Sequence, residues 1–277
     1  MIIVTGQTAT GKTKLAQELA KKHNGELINF DSRQIYKYLD IITGKDIPKT
    51  KIWLYDIVKP DQYFSSFDFV QRVTPIIEDI QKRNKTPILV GGTYLYLKHL
   101  LYGIDDNNSP PDFKLREKLN NKSVDYLQKY LILLNPQIFE RLNNSDQLNP
   151  RRLIRKIEIS KGTLFIRSDL KRTDLIPEVF IGLRYKDKTK LRKVIEGRVE
   201  ERLKNGAIDE VKKLLKMGYT ENDPGLKTIG YQQIIKYLNK QMTEKQAIED
   251  WINKEVQYAK RQLTFMKKDK NIKWREI

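Results

Sequence analysis

The sequence predicts an α/β fold in which helices cover both faces of a parallel sheet, together with a small helical insertion domain. In the first hundred residues, short apolar runs alternate with segments whose apolar residues have helical spacing. This order is typical of parallel sheets. A cluster of turn-forming residues at 105–111, DDNNSPP, then marks a boundary, and the apolar run at 179–183 is expected to return to the sheet.

The individual elements follow from this alternation. The predicted strands are 1–4, 27–30, 53–58, 87–90 and 179–183. A helix is predicted over 66–83, where apolar residues recur at helical spacing, and helices dominate from 187 to about 268. We therefore divide the chain into a core, residues 1–104 and 150–277, and a helical insertion domain, residues 105–149.

A phosphate-binding loop follows the first strand. Residues 6–13 read GQTATGKT, the P-loop pattern, and they stand between a buried-type strand and a helical segment. The glycines let several backbone N–H groups converge, the helix adds its positive end, and Lys12 adds a full charge. Thr13 offers a hydroxyl to Mg²⁺. Linked phosphates are therefore expected to bind a P-loop NTPase-like core through Gly6, Gln7, Thr8, Ala9, Thr10, Gly11, Lys12 and Thr13.

The composition narrows the class of protein. The sequence has no cysteine, which excludes disulfides and thiolate metal sites. No apolar run approaches the length of a membrane span, and the first residues already form part of the fold. We therefore expect a cytoplasmic protein with neither a membrane segment nor a signal peptide, and we also expect a monomer.

The charge indicates a polyanionic partner. The 53 basic and 35 acidic residues leave a net charge of +18. A small-metabolite enzyme needs only a few cations in its site, so this excess favours a nucleic acid, although a lysine-rich proteome would also produce it. Two basic clusters with interleaved apolar residues, 151–156 and 258–268, are typical of an RNA-binding track or of solvated helix faces.

Asp31 is the candidate general base. It ends the second predicted strand, and ligands of open parallel sheets lie beyond the carboxyl ends of the strands. A magnesium, loop-capping or ribose-binding role fits the same position. Ser32, Arg33 and Gln34 follow it and supply donors suited to a base edge or a phosphate.

Two arginines lie on the apolar face of the helix predicted after residue 187. Arg198 and Arg202 fall within the arc formed by its apolar residues. A buried arginine requires an anionic partner, which is either a carboxylate of the protein or a pyrophosphate beside the P-loop.

Taken in order, the motifs resemble those of the tRNA dimethylallyltransferase (isopentenyl-tRNA transferase) family over nearly the whole chain. They read GQTATGKT, DSRQIYKYLDI, PILVGGTYLYLK, LNPRRLIRKIE, RVEERL, KTIGYQQIIKYL and YAKRQLTFMKK. The resemblance implies transfer of a dimethylallyl group from dimethylallyl diphosphate to the exocyclic amine of the adenosine 3′ of the anticodon. The acceptors would be tRNAs that read codons beginning with U.

The resemblance also implies roles for individual residues. Asp31 would take the proton from the amine. Lys12, Arg198, Thr8 and Mg²⁺ near Thr13 would stabilise the departing pyrophosphate. The anticodon stem-loop of tRNA would contact Asp31, Ser32, Arg33, Gln34, Thr93, Arg151, Arg152, Leu153, Ile154, Arg155, Lys227, Thr228, Ile229, Gly230, Tyr231 and Gln232. Gln7 and Gly44 depart from the family, which usually has proline and alanine there; Gln7 should be tolerated as a backbone contributor.

Three other functions fit parts of the sequence. One is a P-loop nucleotide or small-molecule kinase with Asp31 as base and Arg151, Arg152 and Arg155 as an arginine lid. Another is a non-catalytic RNA-binding module that retains a phosphate pocket. The third is a prenyltransferase acting on free adenine nucleotides, against which the basic C-terminal half argues.

Overall fold

The computed structural model describes residues 1–45, 51–103, 111–162, 175 and 177–277, and only the backbone of Lys188. Within these residues the strands form a single sheet. In chain order they are β1 (Ile2–Gly6), β2 (Gly25–Asn29), β3 (Ile52–Trp53), β4 (Thr86–Val90), β5 (Val179–Arg184) and β6 (Lys273–Glu276). All pairs are parallel, and the order across the sheet is β3-β2-β4-β1-β5-β6. The predicted α/β fold with a P-loop-like sheet is confirmed.

Helices account for most of the remaining described residues. In chain order they are α1 (Lys12–Lys22), α2 (Ser66–Lys82), α3 (Tyr94–Tyr102), α4 (Phe113–Leu119), α5 (Val124–Leu134), α6 (Pro136–Glu140), α7 (Asn144–Gln147), α8 (Pro150–Lys161), α9 (Lys188–Lys204), α10 (Ala207–Lys216), α11 (Tyr231–Leu238) and α12 (Glu244–Met266). In the part of the chain that the structure describes, no helix combines the length and apolarity needed to cross a membrane.

Helices cover both faces of the sheet at β1. Successive residues of a strand point to opposite faces, so β1 contacts a helix on each side. Ile2 and Val4 pack with Ala16 of α1 on one face. Thr5 points to the other face, where its hydroxyl lies 3.6 Å from the sulfur of Met266 at the end of α12. The carboxyl end of β1 is therefore held between two helices.

Two strands differ from the sequence-based prediction. The apolar run at 53–58 forms only the end of β3, because Leu54 and Asp56 adopt left-handed backbone angles, with φ of 67° and 57°. Strand β6 was not predicted, because its side chains are largely exposed and charged. It adds to the edge of the sheet beside β5, where Gly182 leaves room for the ring of Trp274.

The chain divides into two compact units, Met1–Leu101 with Asp174–Ile277, and Tyr102–Thr173. The smaller unit has its own apolar core, to which α8 contributes Leu153, Ile154 and Ile157. The smaller unit therefore does not end at residue 149 as predicted: it includes α8, whose apolar stripe packs against α5. The boundary placed at residue 105 lies outside the described residues.

Candidate active site

Side chains of the P-loop donate hydrogen bonds to the backbone of the same loop. The carbonyl oxygen of Gln7 accepts hydrogen bonds from the Lys12 ammonium at 2.6 Å and from the Thr10 hydroxyl at 2.8 Å. Gly6 has a φ of 132°, and a side chain there would overlap the backbone of Leu183 in β5. Only glycine can therefore occupy the point where the loop leaves the sheet.

Asp31 lies just beyond β2 and is held by its neighbours. Its backbone N–H donates to the Oδ1 atom of Asn29 at 2.9 Å, and its own Oδ1 atom accepts from the N–H of Arg33 at 2.9 Å. The Oδ2 atom faces the end of β4, since a Cβ atom built on Gly92 would lie 3.4 Å from it. One oxygen of a half-buried carboxylate is thus fixed by backbone, and the other is directed to the neighbouring strand end.

The end of β4 is joined to the segment after Asp31. The hydroxyl of Thr93 accepts from the N–H of Ser32 at 2.9 Å and donates to the Ser32 hydroxyl at 3.1 Å. Gly91 makes this approach possible, because a Cβ atom there would lie 2.7 Å from the carbonyl carbon of Phe30. The carboxyl ends of β2 and β4 therefore present their polar groups together.

The two arginines of α9 have different partners. The Nη1 atom of Arg198 donates to the hydroxyl of Thr8 in the P-loop at 3.2 Å. The Nη1 atom of Arg202 instead pairs with Glu255 of α12 at 2.5 Å, and the indole N–H of Trp251 donates to the same carboxylate oxygen at 2.9 Å. The structure assigns the carboxylate partner to Arg202 and places Arg198 on the loop.

Gly44 lies directly against both guanidinium groups. A Cβ atom built there would come within 2.9 Å of Arg198 and 2.8 Å of Arg202, and the φ of Gly44 is 63°. The amide of Gln34 holds this loop by donating to the carbonyl oxygen of Gly44 at 3.0 Å. The segment after Asp31 therefore also defines the surroundings of Arg198.

Two site residues on α12 were missed as individuals, although they lie in the basic cluster 258–268. Gln262 is buried and bonds the P-loop and the end of β4. Burial and, next, the charge of Asp31 raise the pKa of Tyr258, while hydrogen bonds with Thr93 and Gln262 oppose this rise. Tyr258 and Gln262 are four residues apart and lie on one face of the helix. The sequence signal for them is weak: Gln262 occurs at a position where the helical spacing of α12 otherwise has apolar residues.

The predicted tRNA contacts at 227–232 are partly buried in the large unit. Tyr231 is fully buried, and its hydroxyl bonds Glu210 at 2.5 Å, so its pKa lies well above the ordinary value. The Thr228 hydroxyl donates to the carbonyl oxygen of Gly225, and the Gln232 amide donates to that of Leu226. Gly230 and Ile229 are buried and half-buried, and Lys227 is exposed. Outward-facing charge in this segment therefore comes from Lys227.

The cluster at 151–155 belongs to the small unit. Arg151 and Arg152 are exposed, whereas Leu153 and Ile154 are in the core. Arg152 forms an ion pair with Asp146, and Arg155 pairs with Glu158 at 3.2 Å. The exposed face of α8 therefore presents the guanidinium groups of Arg151 and Arg152, while the apolar residues of the helix pack in the core of the unit.

Comparison with known proteins supplies the family. The sequence matches the family model described as IPP transferase over residues 34–269. The chain belongs to this family. It is 38% identical to the tRNA dimethylallyltransferase of Clostridioides difficile, over 100% of this chain and 91% of that protein. It is 36% identical to that of a Thermoanaerobacter species, over 99% and 90% of the two chains.

Solved structures of IPP transferases are also similar to this chain. The full-length tRNA isopentenylpyrophosphate transferase of Bacillus halodurans is 32% identical, with a TM-score of 0.72 over 99% of this chain and 89% of that one. A eukaryotic dimethylallyltransferase described as acting on tRNA is 26% identical, with a TM-score of 0.80 over 100% and 73%. The resemblance seen in the motifs is confirmed, and the chain is an enzyme of the prenyltransferase class.

Gln7 contributes more to this IPP transferase than its backbone. Its side chain is buried, accepting from the N–H of Tyr185 at 3.0 Å and donating to the carbonyl oxygen of Ala259 at 3.4 Å. The Tyr185 hydroxyl in turn donates to the carbonyl oxygen of Ala9 in the loop. An amide at this position therefore ties the P-loop to β5 and α12.

The donors available for a metal ion fit Mg²⁺ bound together with phosphates. In the described ranges, no group of three or more histidine, cysteine, aspartate or glutamate side chains could hold a metal. Magnesium is commonly bound by few protein ligands, with phosphate oxygens and water completing the octahedron. The half-buried hydroxyl of Thr13, at the start of α1, is suited to such a shared site.

Proposed function

We propose that this enzyme transfers the dimethylallyl group of dimethylallyl diphosphate to the exocyclic amine of the adenosine 3′ of the anticodon. The acceptors are tRNAs that read codons beginning with U, and pyrophosphate is released. One observation carries the proposal: the guanidinium of Arg198 donates to the hydroxyl of Thr8 in the P-loop. This loop follows the carboxyl end of β1, and Asp31 follows the carboxyl end of β2. A phosphate clamp and a candidate base are thereby combined in one unit.

The P-loop would hold the diphosphate as a leaving group. Cleavage of the allylic C–O bond leaves negative charge on the pyrophosphate, and preorganised cations stabilise that charge. The proposal assigns this role to Lys12 and Arg198, with the Thr8 hydroxyl and the loop amides as further donors. Mg²⁺ held by Thr13 and the phosphates would supply additional positive charge when bound.

Asp31 would act on the acceptor amine. The nitrogen attacks the allylic carbon, the C–O bond breaks, and a proton leaves the nitrogen. An aromatic amine is a weak nucleophile, so a carboxylate that aligns it and takes the proton favours transfer. The Oδ2 atom would accept the proton, since Oδ1 already accepts a hydrogen bond from the N–H of Arg33.

The substrate tRNA would contact the residues that follow Asp31, together with Thr93, 151–155 and 227–232. Arg151, Arg152 and Lys227 supply exposed cations for its phosphates. The target base must leave its stack to reach the edge of the sheet, and unstacking is less costly in an anticodon loop than in a duplex. We also propose that the enzyme is cytoplasmic and acts as a monomer. The mass measured by sedimentation tests the monomeric state.

The decisive experiment measures transfer of labelled dimethylallyl diphosphate, with Mg²⁺, to unmodified tRNA. Parallel reactions contain AMP or ATP as acceptor, and a tRNA whose adenosine 3′ of the anticodon is replaced by guanosine. We expect label only in the unchanged tRNA. Transfer to AMP alone would assign the enzyme to free nucleotides, and formation of ADP from ATP in the absence of tRNA, without prenyl transfer, would support a kinase.

A further inference from the structure

A single buried amide joins the two halves of the proposed site. Gln262 of α12 is only 6% exposed. Its Oε1 atom accepts from the backbone N–H of Thr8 at 2.9 Å, and its Nε2 atom donates to the carbonyl oxygen of Gly92 at 3.0 Å. The side chain therefore bridges the P-loop and the end of β4, two segments that are distant in sequence.

Each end of this bridge leads directly to a reacting group. On the loop side, Thr8 uses its N–H for Gln262, and its hydroxyl accepts from Arg198. On the strand side, Gly92 faces the Oδ2 atom of Asp31, with 3.4 Å between that oxygen and a Cβ atom placed on the glycine. A side chain on Gly92 would also overlap the amide of Gln262.

The geometry of a primary amide makes this bridge rigid. Its oxygen and nitrogen are held in one plane, so bonding both at once fixes the loop relative to the strand end. If the loop moved away, the N–H of Thr8 or the carbonyl oxygen of Gly92 would lose its hydrogen-bond partner, and a buried polar group without a partner is unfavourable. The loop therefore has one preferred position relative to Asp31.

We propose that Gln262 is a positioning residue for prenyl transfer, which sets the distance between the diphosphate held by the P-loop and the base Asp31. This inference rests on the proposed function. Gln262 acts through Thr8 and Gly92, and its own polar atoms are engaged by the protein. Because a misplacement of about 1 Å can lower a rate by about a hundredfold, loss of the bridge should act on the transfer step.

The test compares Gln262→Met with Gln257→Met. Methionine keeps the approximate volume and removes both bridging hydrogen bonds together with the one to Tyr258. Gln257 is an exposed glutamine of the same helix. For Gln262→Met, we expect kcat to fall about ten- to a hundredfold. We expect KM for each substrate, and the affinity and stoichiometry of pyrophosphate binding with Mg²⁺ by calorimetry, to change less than about threefold. Gln257→Met should match the parent.

Gln262→Asn keeps the test decisive if the methionine variant folds poorly. Asparagine retains the amide but is one methylene shorter, so it cannot span both partners. We expect its kcat to fall as well, with pyrophosphate stoichiometry unchanged and faster hydrogen exchange at the Thr8 amide. A parental kcat in this variant would overturn the proposal.

Other outcomes also count against the proposal. A higher KM for tRNA with unchanged kcat would make Gln262 a tRNA-binding residue, and parallel loss of kcat and pyrophosphate stoichiometry would make it a folding residue. Failure of the proposed function is distinguishable, because the parent enzyme itself would then transfer no label. In that case, unchanged Thr8 amide exchange in Gln262→Met would still refute the bridge.

Discussion

Arginines occur both beside the carboxyl ends of the strands in the large unit, which we call the sheet edge, and on helix α8 in the small unit. The two sets have different kinds of partner. At the sheet edge, Arg198 bonds Thr8 across 190 residues of sequence. On α8, Arg155 pairs with Glu158 three residues away, and Arg152 pairs with the nearby Asp146. The long-range contact of Arg198 fixes one geometry, whereas Arg152 has an exposed side chain and only a local partner, so its guanidinium group is accessible to phosphates. The first region suits a compact diphosphate, and the second suits an extended polyanion.

Removal of the carboxylate at the sheet edge should have the largest effect. Asp31→Asn keeps the size of the side chain and an oxygen that can accept from Arg33, but it removes the base. We expect kcat for transfer to tRNA to fall about a thousandfold, the range of general-base catalysis. Binding of tRNA and of pyrophosphate should change less than about threefold. Parental activity in this variant would exclude Asp31 as the base.

The next effect should come from the cation on the loop. Arg198→Ala removes the guanidinium that contacts Thr8, and we expect kcat to fall about a hundred- to a thousandfold, as for other groups that stabilise developing negative charge. The affinity for tRNA, measured by filter binding, should change far less. Arg198→Lys should recover part of the rate. Equal losses in rate and tRNA binding would instead make Arg198 a structural residue.

Arg202, one turn further along α9, provides the contrast to Arg198. Arg202→Met leaves the buried carboxylate of Glu255 without its charged partner. Breaking a buried pair from one side destabilises a protein strongly, so we expect the free energy of unfolding in urea to fall by about 3 kcal/mol. The double variant Arg202→Met with Glu255→Met should recover most of this loss. No recovery would mean that Arg202 is not held by the ion pair.

The sequence was sufficient for the parts of the site that have a pattern. The P-loop has fixed spacing, and Asp31 follows a buried strand. Arg198 and Arg202 could be found on the apolar face of a helix, but not told apart, because their partners lie on segments distant in sequence. Gln262 had no chemical signature, and its role depends on where α12 crosses the sheet.

Apolar residues inside polar motifs were harder to assign from the sequence. Leu153 and Ile154 were grouped with the basic residues around them, yet with Ile157 they form the stripe that holds α8 in the small unit. Tyr231 was treated in the same way and lies in the core of the large unit. For these three residues, a role in tRNA binding stays a prediction. Helical spacing could have separated the core side chains from the exposed ones.

The exposed face of α8 should give the smallest effect and a different kind of effect. Arg151→Ala removes one exposed cation, so we expect tRNA binding to weaken about threefold at moderate salt. The slope of log affinity against log salt should become shallower by about one, with kcat unchanged. Lys129→Ala is the matched control, an exposed cation of α5 paired with Asp125 and outside the predicted contacts. If both variants change the slope equally, α8 contributes general charge to the small unit, and the proposed tRNA contact at Arg151 is wrong.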